Sequence, residues 1–112
     1  MAIGITPEQQ AALAESQLVA LAERVTSLFV ENSVLERTAD LDRQVLGWLR
    51  EGRDGGVETE LDLARLCLVL ADIDTLGRRP PMVAERLADR DVGGELKVFQ
   101  VTHAWNEHLS SR

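Results

Sequence analysis

One cysteine, no tyrosine and a single lysine are all that this 112-residue sequence offers of three residue types that usually recur. The lone Cys67 excludes a disulfide within the chain. It sits inside an apolar run, where a small buried hydrophobe is expected rather than a reactive thiol. Aromatic side chains number four, Phe29, Trp48, Phe99 and Trp105. The core must therefore be built from Leu, Val and Ala, a composition of helical bundles rather than sandwiches or barrels. Lys97 stands against eleven arginines, an imbalance associated with GC-rich bacterial coding. Positive charge is also scarce overall, and the net charge is −7. A phosphate backbone or an anionic membrane would repel such a surface, so neither nucleic acid nor membrane is expected as a partner. A basic or apolar protein surface is the better match. The opening MAIGITPEQQ has no basic region and no long apolar core, so no signal peptide is expected and the cytoplasm is the expected location.

The stretch Glu60 to Leu76 is the richest in what remains. Between Leu63 and Ala71 only Arg65 interrupts the apolar residues. At helical spacing Leu63, Leu66, Leu70 and Ile73 form one stripe, with Ala64, Leu68 and Ala71 on the next. Asp62, Arg65 and Asp72 share one narrow line. Apolar residues nearly all round predict a helix inside a bundle. At about 1.5 Å per residue it spans about 25 Å, too short and too acidic at its end to cross a membrane.

Upstream, Thr6-Pro7-Glu8-Gln9 is a capping-box helix start. Ala11, Ala14, Leu18, Leu21, Val25 and Leu28 follow at steps of three and four, a heptad seam of nearly three repeats. Asn32 and Ser33 are expected to end this first helix. A second capping-box pattern, Ser33-Val34-Leu35-Glu36, offers a new start, and Thr38 and Asp40 offer later ones. Val34, Leu41, Val45 and Trp48 make one stripe of the second helix. Gly47 inside it is expected to mark a close helix crossing. Glu51 to Gly56 reads as the clearest loop; no strand precedes it and no Gly-Lys-Ser/Thr follows, so it is a connection and not a phosphate-binding loop.

Thr59 is placed to cap the Glu60–Leu76 helix and Gly77 to end it. Arg78 and Arg79 fall where cations meet the carbonyl end, and they are also the expected partners of Asp72 and Asp74. Pro81 can open a short helix from Met82 to about Arg90. Gly93-Gly94 breaks the chain again. Residues 95–110 carry strand-forming Val98, Phe99, Val101 and Thr102, but without clean alternation. Val98, Val101, Trp105 and Leu109 line up as one helical stripe, and a helix is expected.

Candidate chemistry is thin. All-helical nucleotide pyrophosphatases hold Mg²⁺ with carboxylates at ExxE and ExxD spacing, because a hard cation needs converging oxygens. Glu58, Glu60 and Asp62, then Asp72 and Asp74, are spaced two apart and face different ways on a helix. Glu58, Asp62 and Asp72 are the best that a metal-dependent hydrolase reading can use. His103 and Glu107 share a face, whereas His103 and His108 do not; two ligands make no zinc site.

The expectation is an all-α chain, a small bundle of four or five helices around a buried central helix at residues 60–76. It forms one helical domain over residues 1–112, with residues 1–5 a short tail. The expected function is non-enzymatic and free of cofactors: a regulator or adaptor that masks a surface on a partner protein, for example an antiactivator of a transcription factor. A secretion chaperone or a phage-encoded inhibitor fits equally, and the hydrolase is the alternative of another class. A homodimer is expected from the heptad seam. The interface residues chosen are Leu18, Leu21, Val25 and Leu28, with Trp48 and Trp105 as aromatic anchors, for which burial in the core is the competing reading, more so for Trp48.

Overall fold

The computed structural model describes the backbone of residues 7–111 and the side chains of residues 15–111. Thr6 and Gln9 as capping residues, the tail and the seam positions Ala11 and Ala14 lie outside the described side chains. Five helices follow in order: α1 Pro7–Glu31, α2 Leu41–Asp54, α3 Glu60–Leu76, α4 Pro81–Ala88 and α5 Gly94–Ser110. There is no strand among the described residues, and the segment that was ambiguous in sequence is helix α5.

Helix α1 stops where its carbonyls find other donors. The Asn32 side chain donates to the Leu28 carbonyl at 2.7 Å, and the Val34 amide donates to Phe29 at 2.8 Å. Ser33 takes a left-handed φ of 57°. Ser33 belongs to the turn that closes α1, so it does not start the next helix; α2 begins at Leu41 after Asp40, the last of the offered starts.

A correction concerns glycine. Helix α2 runs through Gly52 and ends at Asp54, so the break expected from Glu51 begins only at Gly55. Gly52 is held in the helix by packing. A Cβ there would stand 2.9 Å from Leu63 Cδ2 and 3.1 Å from Leu66 Cδ2. The close crossing of α2 on α3 is therefore at Gly52 and not at Gly47, around which nothing lies within 4 Å. Tertiary packing outweighs the roughly 1 kcal/mol that glycine costs in a helix.

Helix α3 is capped as its sequence indicates. The Thr59 hydroxyl accepts from the Asp62 amide at 3.2 Å and donates to the Asp62 carboxylate at 2.8 Å. Gly77, at φ 130°, ends the helix. Leu66, Leu70 and Ile73 are wholly buried.

Helix α2 packs against both α1 and α3, α5 against α3 and α4. Glu15 on α1 meets Arg50 and Arg53 near the end of α2, so α1 and α2 are antiparallel. Trp48 meets Asp74 while Gly52 meets Leu63, so α2 and α3 are antiparallel too. Gly94 lies beside Asp62 and Trp105 beside Asp72, so α3 and α5 run side by side in the same direction. One buried apolar cluster draws residues from all five helices.

The molecule measures 57 × 33 × 19 Å across its Cα atoms. Helices pack 8–10 Å apart, so the shortest dimension holds about two layers. Two layers leave α3 buried on most of its circumference but open along one stripe. Leu61 is 60% exposed and Leu68 46%. No helix among the described residues is long and apolar enough to cross a membrane.

Candidate binding groove

The open stripe of α3 is the floor of a groove. At helical spacing Leu61, Arg65, Leu68 and Asp72 fall on one line, and α5 rises beside it. Between α3, α5 and the α1–α2 connection lies a cavity of about 350 Å³. Val34 and Leu35 close one wall, Thr102, Trp105 and Asn106 the other, and Leu68, Val69 and Asp72 lie between. Val34 is itself exposed, so the apolar lining is open to solvent. Two polar contacts set the shape of the α5 wall. The Trp105 indole N–H donates to Asp72 at 2.9 Å, which orients the ring against α3. The Thr102 hydroxyl donates to the Val98 carbonyl at 2.7 Å, which satisfies it within α5. Such a groove can hold apolar side chains; it presents no nucleophile or general base aimed at a common point.

The six residues expected at an interface divide sharply. Leu18, Leu21 and Val25 are buried, on a helix packed against α2 within the same chain. These three seam positions are thus covered within the chain and need no second copy to bury them. Leu28 is the exception, with 54% of its surface exposed. Trp48 is 9% exposed and Trp105 4%. Both are core residues, so neither stands free as an anchor. Each indole N–H is satisfied by an aspartate of α3, Trp48 on Asp74 at 2.8 Å and Trp105 on Asp72. Buried tryptophan needs such a partner, and the two aspartates at the end of α3 supply it.

Those aspartates also answer the metal reading. Asp72 and Asp74 point at different neighbours. Asp62 is committed to the Thr59 cap and to Arg65 at 3.8 Å, ten residues from Asp72 along the helix, about 15 Å. Glu58 is an exposed residue before the cap. Glu58, Asp62 and Asp72 are not brought together, and no group of three metal-binding side chains occurs among the described residues. His103 pairs with Glu107 at 3.1 Å and stacks on Phe99, while His108 stacks on Trp105, so the two histidines face different ways.

Two polar clusters were only partly legible in the sequence. In the first, Arg79 joins α2 to the end of α3, donating to Asp74 at 2.9 Å and to Glu51 at 2.9 Å. Burial alone would raise the Asp74 carboxyl, but hydrogen bonds from Arg79 and Trp48 carry it below its ordinary value. The sequence had offered Arg79 as a partner for Asp74, which is found; its pairing with Glu51 on α2 carried no sequence signal. In the second, Lys97 is wholly buried, and its ammonium donates to the carbonyls of Arg86 and Leu87, both at 2.9 Å, and of Asp89. It caps the end of α4 from the neighbouring helix. Burial pushes its ammonium below the usual lysine value. The one available signal was its position beside α4's end in a chain that otherwise uses arginine.

Comparison with protein-family models, with curated proteins and with solved structures finds no match for this chain.

Proposed function

We propose that this chain is a small protein-binding regulator or adaptor, with no catalytic chemistry of its own, that acts by covering a surface on another protein in the cytoplasm. The observation that supports this reading is the apolar groove between α3, α5 and the α1–α2 connection. Exposed Val34 and Leu68 lie together in its lining, and contiguous exposed apolar surface marks interaction sites. An antiactivator of a transcription factor is one form such a regulator takes; a secretion chaperone and a phage-encoded inhibitor are others. The seam of α1 no longer argues for a homodimer, and none is proposed.

Affinity capture from a lysate of the source cell, with mass spectrometry, tests the reading. A partner retained by the native chain and lost with Leu68→Ser supports it. Leu68 is half exposed, so that substitution leaves the core intact. If no protein is enriched over a control bait of equal charge, the reading fails.

A further inference from the structure

We infer that the groove receives an amphipathic helix of the partner protein, with basic residues flanking its apolar face; this rests on the protein-binding reading and specifies its ligand. The first argument is shape. The slab is two helix layers thick, and α3 lies open between α5 and the end of α1. A third-layer helix laid along that stripe restores the ring of neighbours that a bundle helix normally has. Leu61 and Leu68 are seven residues apart, one heptad, which matches the repeat of apolar residues on an incoming helix. Exposed Leu28 stands on α1, outside the lining of the groove. It lies one turn beyond Arg24, and Arg24 is paired at 3.0 Å with Glu60 at the start of α3.

The second argument is charge. The cations bordering the α3 stripe are already engaged, Arg24 by Glu60 and Arg65 by Asp62. Asp72 in the groove is not: it accepts the Trp105 indole N–H but makes no ion pair among the described residues. A second copy of this chain would bring another −7 to the same place. A helix with lysines or arginines beside its leucines meets Asp72 and the net negative field of the chain, where charge mainly steers and orients, while the leucines fill the groove.

The probe is a synthetic helix of about 18 residues, built of leucine and lysine with leucines at heptad spacing. A leucine–glutamate helix of the same pattern and a scrambled leucine–lysine peptide serve as controls. Amide shifts of the full chain are followed by NMR during titration. The leucine–lysine helix should move the amides of Leu61, Leu68, Val34 and Thr102. It should bind at least ten-fold tighter than either control, weaken as salt is added, and lose at least ten-fold in affinity with Leu68→Ser. Equal binding of the glutamate helix overturns the charge assignment, and equal binding of the scrambled peptide overturns the helix. No binding, or shifts confined to other surfaces, overturns the groove.

A photo-crosslinker placed at Leu68, and separately at exposed Val19 on α1, separates this inference from the reading beneath it. Capture of a partner from Val19 alone leaves the protein-binding reading standing and the groove refuted. Groove shifts that grow with protein concentration in the absence of peptide identify a second copy as the occupant, and also overturn the proposal.

Discussion

Three glycines in and around α2 differ in what surrounds them, and a series of alanine substitutions reads that difference as stability. Gly47 lies inside the helix with nothing within 4 Å of a built Cβ. Gly47→Ala therefore gains the helix preference with no steric cost, and should stabilise the fold by about 0.5–1 kcal/mol. Gly52→Ala gains the same preference but places a methyl group 2.9 Å from Leu63 Cδ2 and 3.1 Å from Leu66 Cδ2. Both obstacles are tips of leucine side chains that can rotate, at an overpacking cost of about 1–3 kcal/mol. The net effect should run from neutral to about 2 kcal/mol destabilising. Gly55 has an ordinary φ of −81°, so backbone strain plays no part. A Cβ there would stand 2.3 Å from the carbonyl oxygen of Leu87, a main-chain atom that cannot rotate away. Gly55→Ala should be the worst of the three, costing about 3 kcal/mol or more as α2 and α4 are forced apart. Urea denaturation followed by circular dichroism gives the three values, with the slope checked for two-state behaviour. A rank order other than Gly47→Ala above Gly52→Ala above Gly55→Ala, or a destabilising Gly47→Ala, refutes the placement of α2 on its neighbours.

Further expectations concern the core and its polar clusters. Leu66→Ala or Leu70→Ala, at wholly buried positions of α3, should each cost about 2–5 kcal/mol in denaturant melts; a loss under about 1 kcal/mol places α3 at the periphery. Leu21→Glu should unfold the chain, with loss of helical circular dichroism, because the seam is buried within the monomer; retained helicity would mean that α1 is free of α2. Lys97→Met keeps the volume but strips a donor from three carbonyls at the end of α4, and should cost at least about 1–3 kcal/mol; an unchanged urea midpoint would show those carbonyls satisfied otherwise. Asp74 is held below its ordinary carboxyl value in the folded chain, so its contribution is complete above about pH 4 and is lost as the pH falls through the lowered value. The gap in urea midpoint between the native chain and Asp74→Asn should therefore narrow between neutral pH and about pH 3; a constant gap argues against the Arg79 pairing.

Helix starts and stops were readable because they depend on neighbours in sequence. Thr59 and its partner Asp62 are three apart, and Asn32, Gly77 and Pro81 act within a turn of their own helix. The extent of α2 was misread because Gly52 answers to Leu63 and Leu66, eleven and fourteen residues on, and no local signal carries that contact. The tryptophans were left between anchor and core for a related reason. Their places near helix ends suggested edges, but Asp72 and Asp74 at the end of α3 accept their indole N–H groups and draw both rings inward. The groove is the least legible element. Leu61 and Leu68 look the same in sequence as Leu63 and Leu70; which pair faces solvent is decided by the number of layers in the slab, and that is a property of all five helices together.

Cys67 gives the molecule a reporter that needs no engineering. Its thiol is wholly buried in α3, and burial pushes its pKa up to about 12. In the folded chain at neutral pH it is both shielded and protonated, and a disulfide reagent reacts with the thiolate. Labelling therefore waits on an opening of the core, so its rate measures how often that core opens. Because there is a single thiol, every labelled molecule has passed through the same event. A bound partner helix along α3 should slow the labelling in proportion to its occupancy, at a site it never touches.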